Sequence, residues 1–248
     1  MYKQTPKFRK QLNQNQLEVL RILYRFRFAS RNLIAQYFNK KDAYRQLLVL
    51  EDRGFIGRRY ESSYKLAGKP AAYYLKPDGL RELQQAGDAV EANIKNLYRV
   101  TQVSEEFINH CMSLFTISLR LRYLEPKTKY FTKADLQKDD YTYFPSPLPD
   151  AYIRMSDSHY FLSYIDSSKP FFAAARWLKL LGEYYENGMW DDTGTEFPVV
   201  VVVLEDSKYA KKLSGFIENN LEDMDIRTVL KSEILKGTFP PYPGRSQI

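Results

Sequence analysis

A single cysteine, Cys111, is all the thiol this 248-residue chain holds, so no disulfide can form within it and no Cys-rich zinc site can be built. The two histidines, His110 and His159, stand far apart in sequence. No apolar run approaches the roughly 20 residues a membrane-spanning helix needs. The longest, 197–204, is of strand length. The opening MYKQTPKFRK has no apolar signal-peptide core, so a cytoplasmic protein with reduced thiols and no membrane partner is expected. Gly182 and Gly188 form no phosphate-cradling fingerprint, and no repeat or low-complexity tract stands out. Acidic residues are scarce in one place only. Residues 1–76 hold 17 Lys and Arg against 5 Asp and Glu, a balance of +12, while the remaining 172 residues carry −5. The chain as a whole is +7, with 44% hydrophobic and 27% charged residues, an ordinary globular composition of a size for one large domain or two small ones. The asymmetry suggests a nucleic-acid-binding module joined to a domain with another task.

The first third has the periodicities of a helix-turn-helix. Leu17, Leu20, Leu23 and Tyr24 recur at helical spacing over 15–28, with Asn13 or Asn15 as N-cap. Ala29-Ser30 breaks that pattern. Ser30 can cap a second helix to about Phe38, with Leu33, Ile34, Tyr37 and Phe38 on one face. A third helix over 41–53 buries Ala43 or Tyr44 with Leu47, Leu48 and Leu50, and ends at Gly54. Two strands, 55–60 and 71–75, flank a basic, turn-rich loop over 63–70, which makes a β-hairpin wing. The stretch from Leu48 to Gly79, with its G-K-P-A-A-Y-Y-L segment, looks like many bacterial winged-helix proteins. That likeness implies that the third helix enters the major groove and the wing meets backbone or minor groove.

Groove entry needs cations and hydrogen-bonding groups on the outer face of that helix. Lys40, Lys41, Tyr44, Arg45 and Gln46 supply them. Arg45 suits guanine, Gln46 adenine, and Lys40 and Lys41 phosphates. Arg58, Arg59, Lys65 and Lys69 are the expected wing contacts, and Arg31 the backbone contact from helix two. The plainer alternative is a winged helix that docks protein, its charges merely solvated.

The chain therefore divides into a winged helix at 12–87, a helical linker at 88–103, an α/β domain at 104–236 and a flexible tail at 237–248. Ser104-Glu105-Glu106 opens a long helix stopped by Glu125-Pro126. Strands follow at 129–132, 151–155 and 159–166, with 135–147 a loop, then a helix at 170–187. The valine run of 197–204 reads as a strand buried on both faces, followed by a helix at 207–221 and a strand at 225–231. The fold class expected is α+β, with the order α-β-β-β-α-β-α-β in the second domain.

That order is similar to the core of PD-(D/E)xK nuclease-like domains, whose two carboxylates hold a divalent metal and whose lysine positions water. Asp150, Asp166 and Lys169 are the candidates for catalysis here, with Asp150 and Asp166 as ligands for Mg2+. The acid-x-Lys pair itself is absent, since Ser163, Tyr164 and Ile165 precede Asp166. Together the wing segment, His110, P-D-A-Y at 149–152 and Y-F-L-S-Y-I-D at 160–166 resemble the replication-relaxation family of bacterial mobile-element proteins. Tyr164 stands at that family's glutamate, and the aspartate survives as Asp166. The resemblance implies an accessory in plasmid replication, relaxosome assembly and mobilisation, or transcription control, with the C-terminal domain non-catalytic and cofactor-free. Its partners would be duplex DNA, a second copy of the chain, and relaxase or replication proteins. A metal-dependent nuclease and a protein-interaction adaptor are the alternatives. His110-Cys111 is weighed as a nucleophile pair, but neighbours on a helix point apart. Trp177, Tyr184, Tyr185 and Trp190 are weighed as base-stacking residues against a core role. Glu205-Asp206 reads as solvated charge.

Overall fold

The computed structural model describes residues 11–38, 43–60, 62–89, 103–137, 141–166 and 168–239. The chain is α+β, with one antiparallel three-stranded sheet and one mixed five-stranded sheet.

The first unit begins at α1 (Gln14–Phe26). Asn13 is its cap: Gln16 N–H donates to Asn13 Oδ1 at 2.9 Å, and Asn13 N–H donates to Gln16 Oε1 at 3.1 Å. Such reciprocal caps are worth about 1 kcal/mol. The inward face of α1, with Val19, Leu20, Ile22 and Leu23, is buried. Next come β1 (Phe28–Ser30), α2 (Arg31–Phe38), α3 (Ala43–Asp52), β2 (Ile56–Arg59), α4 (Ser62–Leu66), β3 (Ala72–Leu75) and α5 (Pro77–Gln85). Ser30 caps α2, its Oγ accepting from Leu33 N–H at 3.3 Å. The sheet order is β1-β3-β2, with Ser30 and Arg59 both opposite Ala72. Gly79 lets α5 lie against the backbone of Phe55, where an added Cβ would sit 2.4 Å from the Phe55 carbonyl oxygen.

Two features of this unit differ from the sequence reading. Ala29-Ser30 does not merely break a helix; with Phe28 it forms β1, too short to show an alternating pattern. The connection between β2 and β3 is not an open loop either. It winds into α4, pinned by the buried Tyr64 and closed by Gly68 at φ 62°.

The second unit runs α6 (Glu105–Leu124), β4 (Lys129–Thr132), α7 (Lys133–Leu136), β5 (Ala151–Met155), β6 (Ser158–Ile165), α8 (Phe171–Glu186), β7 (Val199–Leu204), α9 (Ser207–Asn220), β8 (Ile226–Leu230) and α10 (Lys231–Lys236). Its sheet order is β4-β5-β6-β7-β8. The first three strands pair antiparallel, and β6-β7-β8 pair parallel through the connections carrying α8 and α9. The valine run divides by period two. Val200 and Val202 pack with Leu178, Leu181 and Leu213 of α8 and α9. Val201 and Val203 pack with Ile117, Leu121 and Ile234 on the opposite face.

Trp177, Tyr184, Tyr185 and Trp190 all pack in or against the α8–α9 core, the role weighed for them against base stacking. The short helices α7 and α10 escaped the sequence reading, since neither is long enough for a helical period. The tail is not wholly loose: Phe239 meets Tyr160 with ring centroids 5.1 Å apart. Residues 240–248 lie outside the described residues. So does the linker helix expected over 88–103, apart from Asp88, Ala89 and Val103.

Helix α6 belongs to both units. Its Phe115 is buried in the first core and stacks on Phe26 at 4.5 Å, while Ile117 and Leu121 lie in the core under the five-stranded sheet. Arg25 adds a polar tie from α1 to Asp135 of α7 at 2.9 Å. The boundary expected at residue 104 is thus a joint with shared apolar packing.

Candidate functional site

Two regions carry chemistry. The first is the outer surface of α2 and α3. Tyr44 and Arg45 are exposed on α3, and Gln46 is half-buried. The Arg31 guanidinium lies 4.3 Å from the centre of the Tyr44 ring, which holds a cation at the α2–α3 surface. Leu48 and Val49 are also exposed on α3, while Ala43, Leu47 and Leu50 are buried. Helix three therefore buries Ala43 and not Tyr44, and Leu48 leaves the predicted core. Lys40 and Lys41 lie outside the described residues.

The predicted wing cations separate into two groups. Arg58 is exposed, with Glu51 3.3 Å away, and Lys65 is exposed on α4. Arg59 instead points into the joint, donating to the Val103 carbonyl at 2.7 Å and standing 3.5 Å from Glu105. Lys69 lies 3.9 Å from the same carboxylate, and the Tyr64 hydroxyl donates to it as well. Glu105, in the first turn of α6, thus gathers two of the four expected wing cations. In this arrangement Arg59, one of the expected wing contacts, is held at the joint.

The second region lies where the carboxyl ends of β6, β7 and β8 face α6, the edge at which parallel sheets commonly bind ligands. Tyr164 and Asp166 come from the end of β6, Glu205 follows β7, and Lys231 follows β8. Across from them α6 presents Glu106, Asn109, His110 and Ser113, and a cleft of about 420 Å³ lies between. The Tyr164 hydroxyl donates to Glu205. Lys231 Nζ donates to Glu205 at 3.1 Å and to Ser113 Oγ at 2.7 Å. The bond from Tyr164 and the charge of Lys231 hold the Glu205 carboxyl below its ordinary value. Burial and the same bond push the Tyr164 phenol up.

Asp150, at the start of β5, is buried behind this cleft. Its Oδ2 accepts from Tyr164 N–H at 2.8 Å and its Oδ1 from Lys133 Nζ at 2.7 Å, and His110 Nε2 lies 3.4 Å from Oδ1. Burial alone would raise its carboxyl, but the bond from His110 and the Lys133 charge overcome that and hold it well below the usual carboxylate range. Asp166 is turned to its own loop, accepting from Ser168 N–H at 2.9 Å and from the Ser168 hydroxyl. Lys169 is exposed, and the lysine that meets Asp150 is Lys133. Among the described residues no group of three or more His, Cys, Asp and Glu side chains is placed to hold a metal ion. The two predicted aspartates take separate partners, Lys133 and Tyr164 N–H for Asp150 and Ser168 for Asp166. Cys111 is buried, and burial pushes its thiol up to about 12, which leaves no thiolate for a His110-Cys111 nucleophile.

Sequence reasoning missed Lys133, Ser113, Glu205 and Lys231. Their one common signal is position, since three follow directly on a strand. Glu205 and Asp206 are exposed as expected, and each has a partner besides: Asp206 caps α9 by accepting from Tyr209 N–H at 2.7 Å, and Glu205 accepts from Tyr164 and Lys231.

No family profile, no curated protein and no solved structure matches this chain. Among the described residues no helix is long and apolar enough to cross a membrane.

Proposed function

We propose that the protein binds duplex DNA through α3, with Arg31 and the exposed part of the β2–β3 hairpin beside it. The observation that carries this reading is the stack of Arg31 on Tyr44 next to the exposed Arg45, at the surface of a segment whose balance is +12. An α-helix about 10–12 Å across fits a major groove about 12 Å wide, and the ten residues of α3 give about 15 Å of length to lie along it. The sheet order β1-β3-β2 around three helices supports a winged helix-turn-helix, and the order of α6 to β8 supports a nuclease-like second unit. That second unit serves as a docking or dimerisation platform. On the resemblance to the replication-relaxation family, the role is that of an accessory on a plasmid or mobile element. It would act in replication initiation, mobilisation or transcription control, with relaxase or replication proteins as neighbours.

The test is a gel shift of labelled plasmid-derived duplex with the full chain and with an Arg31→Ala/Arg45→Ala/Lys65→Ala variant, each with and without magnesium. Binding without magnesium, weakened at least about tenfold in the variant, is the expected result. Equal binding by both proteins would remove the interface. Strand cleavage in the magnesium lanes would overturn the non-catalytic assignment.

A further inference from the structure

The turn between β2 and β3 presents an apolar side chain to solvent. Leu66, the last residue of α4, is 90% exposed, the most exposed large hydrophobic among the described residues. A single exposed leucine is ordinary on a protein surface. This one differs in how firmly its backbone is held. α4 closes in a Schellman turn: Lys69 N–H donates to the Tyr64 carbonyl at 2.9 Å and Gly68 N–H to the Lys65 carbonyl at 3.4 Å, with Gly68 at φ 62°. Tyr64 anchors the turn. It is buried, Tyr60 meets its ring edge-on with centroids 6.4 Å apart, and its hydroxyl donates to Glu105. Leu66 is thus the apolar tip of a fixed turn.

The surroundings of that tip are cationic or small. Lys65, Ala67, Gly68, Lys69 and Pro70 are all exposed. Lys69 is drawn to Glu105 at 3.9 Å, so Lys65 is the cation beside the leucine. Residues 56–75 hold four basic side chains and one acidic, a balance of +3. A protein interface is centred on a contiguous apolar patch depleted of lysine, and among the described residues at the tip there is no such patch. Duplex DNA offers the matching surface: phosphates for the ammonium and, once a base-pair step opens, two aromatic faces for the leucine. The hairpin also lies beside α3, since Arg58 of β2 is 3.3 Å from Glu51. The four residues of β2 extend about 13 Å from the end of α3 towards α4. Neighbouring major and minor grooves are half a helical turn apart, roughly 17 Å, a span that β2 and the turn of α4 together match.

We propose that Leu66 is an intercalating wedge. With α3 in the major groove, the tip of the hairpin enters the adjacent minor groove, Lys65 takes a phosphate, and Leu66 opens a base-pair step and kinks the duplex. The inference rests on the DNA-binding reading above and adds bending to it. Pyrimidine–purine steps unstack most easily, so the kink belongs at one of them.

Ring closure separates bending from binding. A duplex of about 120 bp, recovered by the full chain from a random-sequence pool, is shorter than the persistence length of about 150 bp and closes slowly by itself. Its ligation into circles is followed with wild type, Leu66→Ser and Leu66→Met, while anisotropy of the same labelled fragment reports binding. Leu66 is exposed, so both variants should keep the wild-type melting temperature. At saturating protein, wild type and Leu66→Met should speed closure at least about tenfold, and Leu66→Ser less than about twofold. Leu66→Ser should still bind the fragment, about fivefold more weakly, as a side chain buried only in the kinked complex is lost. Saturating wild type that leaves closure unchanged would overturn the wedge while the DNA-binding reading stands. Leu66→Ser that speeds closure as much as wild type would also overturn it, and would leave Leu66 to a protein partner. Failure of the full chain to bind any duplex would overturn both readings.

Discussion

Asp150 offers the sharpest stability prediction. The perturbation is Asp150→Ala, with Asp150→Asn beside it. In the native state the carboxylate accepts from the backbone N–H of Tyr164 inside β6, from Lys133 Nζ and from the neighbourhood of His110. Alanine leaves the Tyr164 N–H buried and unpaired, at about 1–3 kcal/mol. The Lys133 ammonium is half-exposed and returns to water, so the loss of that bond is taken at the lower end, about 1.5 kcal/mol. The sum is about 3 kcal/mol for alanine. Asparagine keeps an acceptor for Tyr164 N–H and loses the charge, so about 2 kcal/mol is expected for it. For a chain of this size 3 kcal/mol lowers Tm by about 6–12 °C.

The pH dependence has a defined sign. The folded carboxyl is held below its unfolded value of about 4, so its contribution is complete above that value and drains away as pH falls through and below it. The gap in Tm between wild type and Asp150→Ala should be full at neutral pH and shrink progressively in acid. Scanning calorimetry from about pH 7 to about pH 3.5 measures it. A variant as stable as wild type at neutral pH, or a gap that does not change with pH, would refute the reasoning.

Three further outcomes follow from the same geometry. Glu105→Gln should release Arg59 and Lys69 to phosphate and tighten DNA binding about fivefold at low salt, about 1 kcal/mol for two partly exposed pairs; fluorescence anisotropy reads it, and unchanged affinity argues against a held wing. Gly79→Ala drives a methyl into the Phe55 carbonyl and should cost about 2 kcal/mol in guanidinium unfolding, whereas Gly215→Ala, whose added Cβ meets nothing within 4 Å, should cost nothing. Cys111 should resist a thiol reagent at about pH 8 in the native state and react at once in denaturant, as burial and its raised thiol value require; fast native labelling would place it at the surface.

What the residues disclosed in advance followed the strength of their periodic signal. Helix α1, with its four-residue apolar stripe and Asn13 cap, and β7, with its valines, were readable because one physical preference dominated each. β1, α7 and α10 were not, since three to six residues cannot show a period and owe their form to tertiary partners. The same limit applied at the site. Asp150 stood out at a strand start, but its partners Lys133 and His110 come from α7 and α6 and meet it only in the folded chain. Arg59 reads as a wing cation in sequence because nothing local shows that Glu105, on another helix, will claim it.

The central claim is tested most directly by the salt dependence of duplex binding. Arg31, Arg45, Arg58 and Lys65 are exposed to solvent, and four phosphate contacts predict a log–log slope of about −3.6. Anisotropy of a labelled duplex between about 50 and 300 mM salt gives the slope, and Arg31→Ala/Arg45→Ala should reduce its size by about 1.8. That result would establish the α2–α3 surface as the DNA reader. A slope near zero, or one the double variant leaves unchanged, would contradict the account.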